Sequence, residues 1–119
     1  MKNFKELIIW QKGIEIIKKV YQLSKQFPSE EKFGLVSQIT RAAVSIAANI
    51  AEGSSRNSDK DYGRFLQIAL GSAFEVQTYL IIAKEMNLAN SKEIIELELS
   101  LEIEIKMIHS FLKKLTAIS

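Results

Sequence analysis

Apolar residues recur along the chain at alternating steps of three and four, the spacing of one face of an α-helix. Leu7, Trp10, Ile14, Ile17 and Tyr21 form the first such seam, with Lys12, Glu15, Lys18, Lys19 and Lys25 off it. This helix should stop at Phe27-Pro28, because proline restricts its predecessor and has no N–H for a continuing helix. A second helix is expected directly afterwards, capped by Ser29, with Glu30 and Glu31 at the positive end of its dipole. Its seam is Val36, Ile39, Ala43, Ile46 and Ile50, among many small residues, and it should end near Gly53 as a left-handed C-terminal cap.

The third seam is Tyr62, Phe65, Ala69, Ser72, Val76, Tyr79 and Ala83. Ser58 followed by Asp61 resembles a capping box. Gly63 and Gly71 lie inside this helix at about 1 kcal/mol each against alanine, which close helix contact would explain. Asn87 to Asn90 read as a turn. The last segment fits two periods. Leu97, Leu99, Leu101, Ile103 and Ile105 alternate with polar residues like a strand, while Ile94, Leu97, Leu101, Ile105, Ile108, Leu112 and Leu115 make a helical stripe. Leu and Glu favour helix, Ser91 can cap it, and a lone strand would lack a partner, so helix is the reading taken. Leu99 and Ile103 then form a second apolar face, which burial against another copy of the chain would explain. Four long helices with short connections predict an all-α, antiparallel up-down-up-down four-helix bundle, with residues 1–119 as one domain.

Composition narrows the chemistry. The 119 residues contain no cysteine and one histidine, which removes thiolate metal sites, disulfides and cysteine nucleophiles. Glu-x-x-His di-iron motifs cannot form, because His109 is preceded at three residues by Lys106. There is no nucleophile elbow and no phosphate-binding loop. The expectation is a non-enzyme without metal or cofactor. The acidic row Glu98, Glu102 and Glu104 reads as a solvated face, and His109 as a helix-four residue near a subunit contact. No segment approaches the roughly 20 apolar residues of a membrane span, and the short apolar run at Leu7 to Trp10 is no signal peptide core. A cytoplasmic protein with no membrane partner is the resulting expectation.

The net charge of +2 hides a division. Residues 1–64 carry eleven Lys/Arg against seven Asp/Glu, and residues 65–119 carry five against seven. Arg56, Lys60 and Arg64 flank the turn between helices two and three, and with Arg41 they are candidate phosphate contacts. Lys12, Lys18, Lys19 and Lys25 offer a second basic surface on helix one. Gln38, Arg41, Ser45, Asn49, Glu52 and Arg56 follow one another as a polar ribbon on helix two. Its structural reading has Asn49 and Glu52 hydrogen-bonded among the alanines, with Arg41 as counter-charge to Glu52 or Glu75. Trp10 and Tyr21 could stack on bases, but as seam residues they read as core or interface.

The run from Phe33-Gly34-Leu35 through Ser45-Ile46-Ala47-Ala48-Asn49-Ile50-Ala51-Glu52-Gly53 closely resembles the signature of the 23S rRNA intervening-sequence protein family. The block Tyr62-Gly63-Arg64-Phe65 to Gly71-Ser72-Ala73-Phe74-Glu75 resembles its second block. Phe4, Leu7, Trp10-Gln11-Lys12 and Phe27-Pro28 match as well. Ala47 stands where many relatives have proline. The resemblance implies a left-handed bundle assembled as a ring, typically a pentamer. It also implies a bacterial, non-catalytic, homo-oligomeric protein that binds RNA or DNA through a basic surface. A relative serves diversity-generating retroelements as accessory protein. The alternative implied is a protein–protein adaptor that docks a reverse transcriptase or a ribosome-associated factor.

Overall fold

Each of the four seams becomes one long helix: α1 (Ile8–Ser24), α2 (Leu35–Ser54), α3 (Asp59–Glu85) and α4 (Ser91–Ile118). The computed structural model describes residues 3–118. Short 3₁₀ turns at Phe4–Glu6 and Ser29–Glu31 complete the regular structure, and no strand occurs among the described residues. The helix reading of the last segment therefore holds.

Helix α1 packs on α2 and α4, α2 packs on α3, and α3 packs on α4, with no close backbone approach across either diagonal among the described residues. The helices thus stand at the corners of a square, in a body 46 × 22 × 20 Å. The core runs down its middle. Ile39, Ala43, Ile46 and Ile50 of α2 meet Leu66, Ala69, Ala73, Val76 and Leu80 of α3, with Ile94, Leu101 and Ile108 from α4, all fully buried. Each buried Ile, Leu or Val contributes about 1.5–3 kcal/mol.

The seam of α1 differs from the expectation. Ile9, Gly13, Ile16, Val20 and Leu23 face inward, whereas Leu7, Trp10, Ile14 and Ile17 lie half-buried on the flank and Tyr21 is exposed. Both ladders have helical spacing, and Gly13 decides between them. A Cβ at Gly13 would lie 3.3 Å from the Cβ of Ala47 and 3.4 Å from Oε2 of Glu104. Only a position without a side chain lets α1 come this close to α2 and α4, so the ladder containing it turns inward.

The helix ends also correct the reading. Ser29 does not cap α2 but opens the separate 3₁₀ turn, and α2 starts at Leu35, whose N–H donates to Glu31 Oε1 (3.4 Å). Gly53 is not left-handed: α2 runs on to Ser54, and no glycine has positive φ. Its function is close approach, since a Cβ there would meet Phe65 Cβ at 2.8 Å and Tyr62 Cδ1 at 2.9 Å. Gly63 likewise lies against Leu112, but Gly71 faces open space, so helix contact does not explain it. Ser58 caps α3 as expected, accepting from the Asp61 N–H at 3.1 Å. Asn90 rather than Ser91 caps α4, accepting from the Glu93 N–H at 3.0 Å, and Asn87 takes the left-handed turn position (φ 55°).

Helix α3 departs from one further expectation. It is long and apolar enough to cross a membrane by length and composition, with a stretch of mean hydropathy 1.4. Its residues Leu66, Ala69, Leu70, Ala73, Val76 and Leu80 are packed inside the bundle, so its hydrophobicity has a use in the core.

Candidate binding surfaces

The turn between α2 and α3 brings Arg56, Lys60 and Arg64 to one end of the molecule, as their spacing implies. Their partners come with them. Arg56 pairs with Glu52 at 2.8 Å and lies 4.6 Å over the Phe65 ring, and Arg64 pairs with Asp61 at 3.3 Å. Lys60 makes no ion pair among the described residues. Glu52, Asp59 and Asp61 balance the three cations of this stretch, so the turn has little surplus positive potential. These exposed pairs are individually weak.

The lysines of α1 do not converge on a common pocket. Lys12 is half-buried, Lys18 lies 3.9 Å from Glu15, and Lys19 donates to Ser100 Oγ of α4 at 3.3 Å. Charge reading alone could not see that Ser100 of α4 takes up Lys19, whereas Glu15 and Lys18 are a local pair three residues apart.

The polar ribbon of α2 is tied mainly to structure. Ser72, buried on α3, donates to Ser45 Oγ at 2.8 Å, and Asn49 donates to the Ser45 carbonyl and Oγ at 2.8 and 2.9 Å. Tyr79 Oη donates to Gln38 Oε1 at 3.4 Å. Glu52 is exposed and bonded to Arg56 rather than between helices. Arg41 is the correction here: it pairs with neither Glu52 nor Glu75. It shares with Glu75, Gln38, Ala42 and Ser45 a shallow groove of about 220 Å³, without an ion pair.

Three features lie outside the expected set. The first is Glu104. Instead of lining a solvated face it is fully buried, and neither carboxylate oxygen has a hydrogen-bond partner among the described residues. Burial pushes its pKa up from 4.5 to about 8, against the opposing pull of Lys12. Glu98 is mostly buried too, paired with Lys84 at 2.8 Å, so of that acidic row only Glu102 is exposed. The period-2 pattern concealed this, because Glu104 sits three residues after Leu101 and four before Ile108 and shares their helix face. The second is an outer groove between α1 and α2, made of adjoining cavities of about 490 and 440 Å³ that share Tyr21 and Thr40. The third is an apolar surface. Leu99 (55% exposed) and Ile103 (51%) lie outward as expected, joined by Ile95 on α4 and by Ile81, Ile82 and Met86 on α3.

The sequence matches the profile of the 23S rRNA-intervening sequence protein family over residues 5–110. Among solved structures, a protein of unknown function from the S23 ribosomal protein family of Bacteroides thetaiotaomicron is similar. It is 26% identical with a TM-score of 0.82, covering 89% of this chain and 99% of the other. No curated protein matches the sequence.

Proposed function

The chain belongs to the 23S rRNA-intervening sequence protein family, and from that membership we propose that it is a non-catalytic, cytoplasmic, homo-oligomeric protein that binds nucleic acid. We read the bundle as up-down-up-down. Residue pairs that run in opposite senses support this: Gln26–Glu93 and Lys19–Ser100 between α1 and α4, Gln38–Tyr79 and Ser45–Ser72 between α2 and α3, and Lys84–Glu98 and Tyr62–Phe111 between α3 and α4.

The observation that carries assembly is the outward apolar face of α4 and α3. Ile95 and Leu99 on α4 and Ile81 and Ile82 on α3 are exposed, and the Lys84–Glu98 pair joins the two helices. Exposed apolar residues gathered in this way are costly in water and are ordinarily covered. A second copy of the chain is the cover that a ring, a pentamer by family resemblance, would supply. Assembly also multiplies the basic positions of each subunit on one particle, which raises affinity for a polyanion without any new contact.

Light scattering tests assembly: the expected mass is a multiple of 13.5 kDa, and the double variant Leu99→Lys/Ile103→Lys should give folded monomers. A wild-type monomer would overturn the assembly reading. A low-salt filter-binding titration tests the ligand. Absence of RNA and DNA binding at micromolar protein, or binding indifferent to salt, would overturn the nucleic-acid reading. A protein–protein adaptor is the second reading, favoured by the ion pairs that occupy Arg56 and Arg64. A nuclease-resistant complex with a reverse transcriptase or ribosome-associated factor would support it.

A further inference from the structure

From Ile16 to Ala51 the chain has no acidic residue except Glu30 and Glu31. This stretch forms most of α1, the connection after it, and nearly all of α2. Folding stands the two helices side by side and turns that bias in composition into a surface. The groove between them is lined by Tyr21, Lys25, Lys32 and Arg41, with Val36, Val44 and Ala48 among the apolar residues and Thr40, Ser45 and Asn49 among the polar ones. No carboxylate lines it. None of its three cations makes an ion pair among the described residues, in contrast to Arg56 and Arg64. Lys32 lies 5.5 Å from the ring of Phe33, which is itself almost entirely exposed.

Tyr21 is half-exposed and belongs to both adjoining cavities. An aromatic ring shared by both cavities, with unpaired cations beside it and along one half of the groove, is an arrangement suited to single strands: the ring stacks a base, and the cations follow the backbone. From Val36 to Asn49 the groove follows α2 for about 20 Å, the length of a few nucleotides. A duplex keeps its bases stacked on each other and offers none to Tyr21.

We propose that the α1–α2 groove binds single-stranded nucleic acid, with Tyr21 as the stacking platform and Lys25, Lys32 and Arg41 as phosphate contacts. This rests on the nucleic-acid reading above and relocates its site, away from the Arg56–Lys60–Arg64 turn and the outward lysines of α1. Asn49 strengthens the assignment. Its amide N–H₂ is used on Ser45, while its carbonyl oxygen has no partner among the described residues and remains an acceptor for a base edge.

The experiment is fluorescence anisotropy of a labelled oligouridylate of about 12 nucleotides with the full-length protein. A hairpin duplex serves as the second probe, and light scattering is run on every variant. Tyr21→Ala should weaken oligouridylate binding about 5-fold or more, the loss of one stacked base, and Tyr21→Phe should restore it. The triple variant Lys25→Ala/Lys32→Ala/Arg41→Ala should lower the slope of log affinity against log salt by about 2, three single-strand phosphate contacts. Arg56→Ala/Lys60→Ala/Arg64→Ala should retain binding. The groove assignment is overturned by unchanged binding in the Tyr21 and triple variants, by equal affinity for the hairpin, or by loss of binding that tracks a change in oligomer mass, which would make the groove a subunit contact. If the wild type binds the probe but only the turn variant loses it, the groove fails and the nucleic-acid reading stands. If the wild type binds neither probe at low salt, both fail.

Discussion

Glu104 gives the chain a pH dependence whose size can be worked from its surroundings. Its carboxyl group is enclosed by the bundle, close to Gly13, with no donor for either oxygen among the described residues. The charged form is therefore disfavoured in the folded state, and the pKa rises from 4.5 to about 8. In the unfolded chain the group ionises near its ordinary value. Between those two pH values the folded form retains a proton that the unfolded form releases, so stability falls as pH rises. The fall is about 1.4 kcal/mol per pH unit. It begins near pH 4.5, reaches about 3 kcal/mol at pH 7 and levels off above pH 8 at about 5 kcal/mol, a large share of a small domain's stability. Glu104→Gln keeps the shape and removes the charge. Urea unfolding at fixed protein concentration should give nearly the same stability for both proteins at pH 5, with the variant ahead by about 3 kcal/mol at pH 7 and by more at pH 9. Glu104→Leu, which also removes the unsatisfied polar atoms, should be at least as stable as Glu104→Gln at every pH. The infrared C=O band of a protonated carboxyl, present at pH 7 in the wild type and lost in Glu104→Gln, is an independent readout. Parallel stability profiles from pH 5 to 9 would refute the reasoning and mean that Glu104 reaches water or a partner when ionised.

Two glycines separate close approach from mere tolerance. Gly53→Ala would drive a Cβ to 2.8 Å from Phe65 and should destabilise by about 1–3 kcal/mol. Gly71→Ala meets nothing within 4 Å and should stabilise by about 0.5–1 kcal/mol in thermal unfolding. Equal effects at the two sites would contradict the packing described for the α2–α3 turn. Ser58→Ala removes the side-chain acceptor for the Asp61 N–H and should cost about 1 kcal/mol. Ser58→Asp, which can accept in the same place, should not.

The four helices were legible in the sequence because periodicity reports a local property, the face of one helix that is apolar. The seams of α2 and α4 are buried nearly residue for residue, that of α3 at Ala69, Ser72, Val76 and Ala83 with Tyr62, Phe65 and Tyr79 half-buried, and Ser58 was recognisable as a cap because its bond spans only three positions. Family blocks on α2 and α3 were legible for the same reason, as ordered runs of residues. What only the tertiary structure decided involves residues far apart in the chain. Helix α1 carries two apolar ladders, and the one that faces inward is chosen by the approach of Gly13 to Ala47 on another helix. Glu104 sat in a row of acids and became a buried, unpartnered group because three helices close around it. Basic positions were plain in the sequence, but their availability was not. Glu52 and Asp61 stand only four and three residues from the arginines they occupy, so those pairs were within reach of the sequence, whereas the grouping of Lys25, Lys32 and Arg41, unpaired among the described residues, around one groove was not, because no single helix contains it. Periodicity specifies which side of a helix is turned inward. The packing of the helices decides which unpaired charges come to share one surface, and therefore which surface is left to bind.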